Sequence, residues 1–274
     1  MKRTAALLLA LATAPAAAGC SAALGAPESV TGADTLVIGV KPDQPGLGLR
    51  TGEGRFEGFD VDVALYVAEH LGVAEEDVEF KAVTSAQRED VLESGDVDLV
   101  FATYSITEER KSVVGFGGPY YVAHQDILVR ADEEDVEGVR DLEGRTLCQG
   151  EGSNSADRVI EEKGIDARLH EEPAYGDCIA PLLDGEVDAV TTDDLILAGY
   201  LAQEPEGLRL VNAPFTDEQY GVGIALEDVA GCEEVNRALT LMYQDGTAEE
   251  LLDRWFGETG LDLVTSVPQF VGCG

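Results

Sequence analysis

The chain has 274 residues, which is enough for one large domain or two medium-sized domains with a substantial core. It carries 54 acidic and 18 basic side chains, which gives a net charge of −36. A surface this negative repels nucleic acid, and the sequence contains no basic stretch interleaved with aromatic residues. Composition therefore argues against a nucleic-acid-binding protein and indicates a well-solvated acidic surface.

The N-terminus has the three parts of a secretory signal peptide. Met1-Lys2-Arg3 is charged, an Ala- and Leu-rich run extends to Leu11, and small residues continue to Cys20. The apolar run is shorter than a transmembrane helix requires. Residues 1–19 are therefore predicted to be a signal peptide. Lipidation of Cys20 is predicted because Ala17-Ala18-Gly19-Cys20 resembles the bacterial lipobox; the alternatives are ordinary secretion and an uncleaved anchor.

The segment after Cys20 predicts a linker followed by the start of a folded domain. Residues 20–33 are small and polar, as in a tether. Leu36–Val40 predicts the first strand, and the loop after it is too rich in Pro and Gly for a helix. That loop contains Asp43 and is equally compatible with a plain connection and a ligand-binding loop. A helix with Asp60 as its N-cap is predicted next.

The most informative stretch runs from Val97 to Arg110. Its first half is apolar and β-branched, which predicts a buried strand of a parallel sheet. Its second half places Thr103, Ser105 and Arg110 at the carboxyl end of that strand, where open α/β sheets bind ligands. Because the guanidinium fork of arginine matches a carboxylate with two parallel hydrogen bonds, this edge predicts a site for a small carboxylate ligand.

A second copy of the pattern predicts two similar lobes. Leu92–Val100 and Leu183–Val190 each join a helix end to a strand through a glycine turn. The second strand ends at the acidic residue Asp193, whereas the first is followed by the cation Arg110. Asp194 is predicted to cap the helix that follows the second strand. Either copy alone is a common connection. Together, their opposite charges predict that one lobe binds the α-carboxylate of an amino acid and the other its α-ammonium group.

Two further loops carry polar groups at strand ends. The Thr84–Arg88 loop contains hydroxyls and Arg88, although Arg88 is also compatible with a surface helix and an acidic neighbour. The glycine loop Gly150–Ser155 opens a predicted helix and can present free N–H groups to an anion. Its polar side chains are Ser153, Asn154 and Ser155. A phosphate site is the alternative, but no Walker lysine follows and the glycine spacing is not G-x-G-x-x-G.

Four cysteines remain if Cys20 is lipidated, an even set in an oxidising compartment. They are Cys148, Cys178, Cys232 and Cys273. Three connectivities are possible. We favour Cys148–Cys178 and Cys232–Cys273, because each bridge then lies within one lobe. The cysteines form no CxxC pair and the three histidines are scattered, so no metal or cofactor site is predicted.

Two apolar segments, Gln125–Arg130 and Gly221–Ala225, are predicted to cross between the lobes, and Phe116–Tyr121 is predicted to be a loop. The predicted divisions of the folded part are 34–124 for the first part of lobe 1, 125–218 for lobe 2 and 219–274 for the closing part of lobe 1.

These features together resemble the amino-acid-binding proteins of bacterial ABC importers, the extracellular solute-binding proteins of family 3. The resemblance covers nearly all of the chain after the signal peptide. Gly58–Ala64 matches the family signature G-[FY]-[DE]-hydrophobic-[DE]-hydrophobic, and Ser105–Arg110 matches its Ser-x-Thr-x-x-Arg segment. The resemblance implies an α/β fold of the periplasmic-binding-protein type II, with two α/β lobes joined by a two-strand hinge and the ligand cleft between them.

The resemblance also implies roles for individual residues. The groups implied to bind the α-carboxylate are Arg110, Thr103 and Ser105 in the first lobe and Ser153, Asn154 and Ser155 in the second. Asn154 stands where the family usually has Thr, so backbone N–H donors are expected to dominate there. Asp193 matches the carboxylate that binds the α-ammonium group.

The subgroup most similar to this chain is the glutamate-binding lipoproteins of actinobacteria. Lys41–Gly46, which includes Asp43 as a further ligand-residue candidate, and Val187–Asp194 carry this resemblance, with the Cys148/Cys178 pair. Relatives that bind acidic amino acids have Ser-x-Asn-Arg where this chain has Ser85-Ala86-Gln87-Arg88, which implies that Arg88 binds the side-chain carboxylate.

The implied function is capture of L-glutamate, or of a close relative, for an ABC permease. The protein would be monomeric, without a cofactor, and held at the outer face of the cell membrane by its N-terminal lipid. Aspartate and glutamine are the alternative ligands. The alternative function is an enzyme on the same fold, such as a periplasmic dehydratase, for which no acid–base arrangement is evident in the sequence.

Overall fold

The computed structural model describes residues 29–274. The predictions of a signal peptide, of lipidation at Cys20 and of most of the linker lie outside the described residues. Across residues 29–274, none of the helices has the length and apolar character that crossing a bilayer demands.

Strands and helices alternate along much of the chain. The strands are β1 (Leu36–Val40), β2 (Asp43–Gln44), β3 (Gly48–Gly52), β4 (Arg55–Glu57), β5 (Val78–Ala82), β6 (Leu99–Phe101), β7 (Gly115–Arg130), β8 (Thr146–Gly150), β9 (Arg168–Glu172), β10 (Ala189–Asp193), β11 (Leu208–Leu210) and β12 (Thr216–Ile224). The α-helices are α1 (Phe59–Leu71), α2 (Arg88–Glu93), α3 (Ser155–Asp157), α4 (Ile179–Asp184), α5 (Asp194–Gln203), α6 (Val229–Gln244) and α7 (Thr247–Phe256). Short 3₁₀ turns cover Glu75–Asp77, Ser85–Gln87, Arg110–Ser112, Val139–Leu142 and Tyr175–Cys178, and a π-turn covers Arg158–Glu162.

One mixed sheet, in the order β5-β1-β6-β12-β7-β10-β8-β9, runs through the molecule, with β11 paired to β7. Strands β5, β1 and β6 are parallel, and so are β10, β8 and β9. The long strands β7 and β12 lie antiparallel to each other between these two sets. The two sets with their helices are the first and second lobe. The predicted α/β fold with two connecting strands is confirmed.

The sequence repeat is a repeat of structure. Gly95 and Gly185 both adopt left-handed φ angles, of 73° and 75°, in the turns before β6 and β10. The carboxylate of Asp98 accepts a hydrogen bond of 2.7 Å from the N–H of Val37, and that of Asp188 accepts one of 2.7 Å from Thr146. Each aspartate therefore ties its strand to the start of the parallel neighbour, β1 or β8. The shared residues of the repeat build the scaffold.

The prediction of a loop at Phe116–Tyr121 is wrong, because these residues belong to β7. They pair with β12 in the register Tyr121↔Tyr220 and Gly117↔Val222, with a register shift between Tyr220 and Val222. Pairing with a strand about a hundred residues away along the chain thus overrides a local Gly-Gly-Pro sequence that is typical of turns.

The prediction of Asp60 as a helix cap is also wrong. Helix α1 begins at Phe59 with Gly58 before it, so Asp60 lies in the first turn, and it is fully buried. Its carboxylate accepts hydrogen bonds from the Thr103 N–H (2.9 Å) and the Tyr120 hydroxyl (2.8 Å). Burial raises the pKa of Asp60 to about 6. The side chain fixes the end of β6 instead of capping its own helix.

Both predicted disulfides are confirmed. Cys148 in β8 bonds Cys178 before α4, and Cys232 in α6 bonds Cys273 near the C-terminus. Each bridge closes a loop inside one lobe. The core beneath the connecting strands is aromatic: Phe59, Tyr120, Tyr121 and Tyr220 are buried, with ring centroids about 6 Å apart.

Candidate ligand-binding cleft

The carboxyl ends of β1 and β6 in the first lobe face the loops that follow β8 and β10 in the second. The space between these edges is the cleft. A cavity of about 560 Å³ opens there, and Arg110, Gly152, Ser153 and Asn154 are among the residues that line it. Residues from both lobes therefore share one opening, as a site between two α/β lobes requires.

Arg110 lies on the first-lobe side of the cleft and is 9 % exposed. Its Nη1 donates to the carbonyl of Ser105 at 2.8 Å, and its Nη2 donates to the carbonyl of Gly152 in the second lobe at 3.1 Å. Its Nε lies 3.5 Å from the carboxylate of Glu89. These contacts fix the guanidinium plane at the mouth of the cleft.

Arg88 lies next to Arg110 and is almost fully buried. Its Nε donates to the carbonyl of Ser85, its Nη1 to those of Ala102 and Thr103, and its Nη2 to that of Gly152, at 3.1 to 3.4 Å. Burial and the charge of Arg110 lower the pKa of Arg88 to about 10. The guanidinium is thus held by main-chain carbonyls and, within residues 29–274, forms no salt bridge.

Tyr104 supports both guanidinium groups, a role that the sequence analysis did not assign. The Arg88 and Arg110 guanidinium carbons lie 4.3 Å and 5.2 Å from the centroid of its ring. Its hydroxyl donates to Glu89 at 2.6 Å, so the ring is held on its polar side as well. Cation–π contact of this kind stabilises two like charges next to each other.

Thr103 and Ser105 line the end of β6 and are buried. The Thr103 hydroxyl donates to the Gln44 side chain at 3.1 Å, and Thr103 adopts a left-handed φ of 44°. Ser105 pairs with Tyr220 through an isolated β-bridge. The turn after β6 is therefore shaped by contacts with the loop after β1 and with β12.

The second lobe presents the predicted glycine loop. The Ser153 hydroxyl lies 2.8 Å from the Tyr175 hydroxyl, and the Ser155 hydroxyl donates to Thr192 at 3.3 Å. Asn154 precedes α3, and its side chain makes no capping hydrogen bond. Gly152 adopts a φ of +75°, and a Cβ there would lie 2.5 Å from the Cα of Ala86. Only glycine allows this loop to approach the first lobe so closely.

Asp193 ends β10 and is 4 % exposed. Its side chain makes no capping hydrogen bond to α5. Burial, followed by the charge of Glu218, raises the pKa of Asp193 to about 8. The charge of Asp193 adds to burial in raising the pKa of Tyr220. Within residues 29–274, the Tyr220 hydroxyl and the Oε1 atom of Gln125 are buried without a hydrogen-bond partner.

Asp43 connects the lobes. Its Oδ2 accepts hydrogen bonds from the N–H of Gly176 at 3.0 Å and from the hydroxyl of Tyr200 at 3.1 Å, and both donors belong to the second lobe. Next to it, the Pro45 carbonyl would lie 2.2 Å from a Cβ at Gly199. The loop after β1 therefore packs directly on α5.

The sequence model of the bacterial extracellular solute-binding proteins, family 3, matches residues 36–258. The chain belongs to this family. The glutamate-binding protein GluB of Corynebacterium glutamicum is 41 % identical over 242 residues, which cover 84 % of this chain and 81 % of GluB. The ABC transporter glutamine-binding protein GlnH of Bacillus subtilis is 37 % identical over 227 residues, which cover 82 % of each chain.

A solved structure agrees with this family 3 assignment. An ancestral arginine-binding protein bound to glutamine superposes with a TM-score of 0.76 at 33 % identity, over 82 % of this chain and 99 % of that protein. The type II periplasmic-binding-protein fold is confirmed. The relatives named above are amino-acid-binding proteins and not enzymes, and the family to which this chain belongs is one of extracellular solute-binding proteins.

The cleft brings together most of the residues that the sequence singled out. Arg88, Arg110, Thr103 and Ser105 gather on the first lobe, and the Ser153–Ser155 loop and Asp193 gather on the second. Lys41 directly follows β1 and is not among the predicted site residues. Among the described residues 29–274, no set of three or more His, Cys, Asp or Glu side chains is placed to hold a metal ion.

Proposed function

We propose that the cleft captures L-glutamate and that the protein delivers it to an ABC importer. The observation that carries the proposal is that Arg88 and Arg110 form a buried cationic wall on the first lobe, while Asp193 is a buried carboxylate at the end of β10 in the second lobe. An acidic amino acid has two carboxylates and one ammonium group, which is the complementary set of charges. The name of the C. glutamicum relative agrees with this ligand.

The α-carboxylate is proposed to bind Arg110. In the structure, the Arg110 Nη2 group donates to the Gly152 carbonyl, which marks where an incoming carboxylate oxygen would find a donor. The hydroxyls of Thr103, Ser105 and Ser153, with backbone N–H groups around Asn154 and Ser155, would complete this end of the site. The geometry suits a ligand group that contacts both lobes at once.

The α-ammonium group is proposed to bind Asp193. Burial makes the charged form of this carboxylate costly, and a cation next to it offsets that cost. The unpartnered Oε1 of Gln125 is opposite Asp193 in the antiparallel register and is a second acceptor for an ammonium donor. Arg88 supplies positive charge for the side-chain carboxylate of the ligand.

Asp43 is proposed to act in closing the cleft. Its carboxylate accepts hydrogen bonds from Gly176 and Tyr200 of the second lobe, so we expect it to stabilise the closed conformation. Ligand contacts from both lobes would favour the same conformation, because only differential binding shifts an open–closed equilibrium.

Three predictions about the cellular setting belong to the same proposal. The protein is lipidated at Cys20, it is held at the outer face of the cell membrane, and it acts as a monomer that presents its ligand to a permease. The division into lobes at residues 34–124, 125–218 and 219–274 stays a prediction.

The test is calorimetric titration of residues 21–274 after bound ligand has been stripped by unfolding and refolding. L-glutamate, L-aspartate, L-glutamine and L-arginine are compared. One-to-one binding of glutamate with a Kd of about micromolar or below, and much weaker binding of glutamine, is the expected result. Tighter binding of glutamine, the ligand named for the B. subtilis relative, would keep the transport role and replace the ligand.

A further inference from the structure

The C-terminal segment Thr259–Gly274, which we call the C-terminal strap, follows α7 and runs beside the long strand β7. It forms neither helix nor strand in the described structure, and it begins where the family match at residue 258 ends. None of its residues, all of which the structure describes, lines the cleft cavity. The strap is therefore a part of the molecule that ligand contacts do not explain.

The strap is fastened to the first lobe at several points. Cys273 is disulfide-bonded to α6, which packs on α1 of the first lobe. The Val271 N–H donates to the carbonyl of Gly118 at 2.8 Å, and the Val264 N–H donates to the hydroxyl of Tyr121 at 3.4 Å. Both acceptors lie before the part of β7 that pairs with β10 of the second lobe. The strap must therefore move with the first lobe.

A segment of the second lobe faces the strap across a cavity. The segment is Pro214–Asp217, which leads into β12. Its Phe215 N–H donates to the Gln125 carbonyl at 3.0 Å, and the Phe215 ring packs on the apolar cluster of the second lobe around Ile127. The cavity has a volume of about 740 Å³, and this segment lines it together with His124 and strap residues 262–266.

This cavity lies on the face of the connecting strands that is opposite the ligand cleft. Side chains alternate between the two faces along a strand. Gln125 points to the cleft face, because its Nε2 donates to the Ser155 carbonyl at 2.8 Å and its partner in register is Asp193. His124, the residue before it, therefore points to the other face. There its Nδ1 lies 2.9 Å from the Asp217 carboxylate.

Opening of the cleft is expected to narrow the cavity. Two lobes joined by two strands open by bending those strands, and bending that separates groups on one face brings together groups on the other. The strap moves with the first lobe and Phe215 with the second. In the structure, the lobes are in contact through the Asp43 carboxylate, so the cavity is the space that remains for opening.

We propose that the C-terminal strap is a stop behind the connecting strands that limits how far the ligand cleft opens. The Cys273 disulfide holds the strap in the position where it meets the second lobe. Limiting the open form removes open conformations that compete with the closed one, so the closed fraction rises. The strap thereby raises the apparent affinity for every ligand without contacting any of them.

The first test releases the strap with the double substitution Cys232→Ser/Cys273→Ser. Small-angle X-ray scattering of the ligand-free variant is expected to give a radius of gyration about 1 Å larger than that of wild type, against about 18 Å for a compact chain of this length. The ligand-saturated radius is expected to be unchanged, and the Kd for L-glutamate is expected to rise by about three- to tenfold. Cys148→Ser/Cys178→Ser removes the disulfide inside the second lobe and is the matched control, for which wild-type opening is expected.

The second test leaves both disulfides intact and fills the cavity with the substitution Thr265→Trp. A cavity of about 740 Å³ has room for the indole ring while the lobes are in contact, but less clearance is left for opening. The ligand-free radius of gyration is expected to fall, and the Kd for L-glutamate is expected to fall by about threefold. Val267→Trp is the control, because Val267 is 58 % exposed and lies outside the set of described residues that line the cavity. It is expected to behave like wild type.

The two tests have opposite expected signs, which a general loss of stability cannot produce. Wild-type opening of the ligand-free Cys232→Ser/Cys273→Ser variant would overturn the proposal, and so would a Thr265→Trp variant that opens as widely as wild type. If the cysteine variant does not fold, Thr265→Trp decides alone. If wild type binds none of the amino acids in the titration panel, the proposed function fails, whereas scattering from the ligand-free proteins still decides the role of the strap.

Discussion

Replacing Asp43 with alanine removes the carboxylate through which the loop after β1 holds the second lobe. In the structure, this carboxylate accepts hydrogen bonds from the Gly176 N–H at 3.0 Å and the Tyr200 hydroxyl at 3.1 Å. A third contact, from the Tyr200 hydroxyl to the main-chain carbonyl of Asp43, survives the substitution. The variant therefore tests the side-chain contribution to closure without removing the whole interface.

The size of the effect follows from the two lost contacts. A hydrogen bond to a charged group contributes about 1.5–3 kcal/mol to stability, and exposure to water reduces that figure. Because Asp43 is partly exposed, we take about 2 kcal/mol for the pair together, which corresponds to about 30-fold in an equilibrium constant. If the free protein is mainly open, the apparent affinity falls by the factor by which the closed fraction falls. The Kd is thus expected to rise by about 30-fold for glutamate and glutamine alike.

The assay combines calorimetric titration with small-angle X-ray scattering of the free and ligand-saturated protein. Glu53→Ala is the matched control, because it removes an exposed acid from the turn between β3 and β4 of the same lobe. When saturated with ligand, Asp43→Ala is expected to have the radius of gyration of the wild type, but its affinity is expected to be weaker. Glu53→Ala is expected to match the wild type in both quantities. Wild-type affinity in Asp43→Ala would refute the closure role, and a loss confined to one of the two ligands would indicate direct ligand contact instead.

Three other predictions follow from the cleft and the scaffold. Arg110→Ala is expected to weaken every amino-acid ligand by at least about 100-fold in calorimetry, because all share the α-carboxylate; retained affinity for any of them would contradict its assignment. Since the pKa of Asp193 is raised to about 8, the group is protonated at pH 6, and ammonium binding must displace that proton. Affinity is therefore expected to rise by up to about tenfold per pH unit from pH 6 to 8, whereas Asp193→Asn should bind weakly with a flat profile. Replacing Cys148 and Cys178 together by serine is expected to lower the free energy of unfolding in urea by about 3–4 kcal/mol, with ligand stoichiometry unchanged.

Features that depend on short stretches of sequence were predictable. The predicted strand Leu36–Val40 has the same bounds as β1, because a short apolar, β-branched run that leads into a Pro- and Gly-rich loop has few other interpretations. The two disulfides followed from the lobe topology, since only one pairing keeps each bridge within a lobe. The polar and charged residues after β6 and β10 could be predicted as site residues, because open α/β sheets bind ligands at the carboxyl ends of their strands.

Features that depend on distant partners were not predictable. The segment Phe116–Tyr121 contains Gly-Gly-Pro and is a strand because β12 pairs with it across the molecule. In the sequence, Asp60 stands where a helix cap is expected. In the structure, its carboxylate accepts hydrogen bonds from the Thr103 N–H and the Tyr120 hydroxyl instead. The small sheet of β2, β3 and β4 was missed because its strands are short and rich in Gly and polar residues.

Lys41 has a position in the sequence that could have marked it as a site residue. The rule that drew attention to Arg110, a cation just past the carboxyl end of a buried strand, applies equally to a lysine that directly follows Leu36–Val40. The proline next to it suggested a plain connection. The burial of this lysine and its hydrogen bond to Ser85 depend on the folded structure and could not be predicted from the sequence.

The two lobes share a scaffold and differ in charge, and that difference explains how one repeat can build an amino-acid site. Asp98 and Asp188 make the same 2.7 Å contact to the neighbouring strand, so the shared part of the repeat stabilises each lobe. Five residues further along, the corresponding positions diverge to Thr103 and Asp193. One strand end joins a cluster of cations and the other carries an anion. Closure then places opposite charges on either side of a zwitterion, and neither lobe alone has the full set.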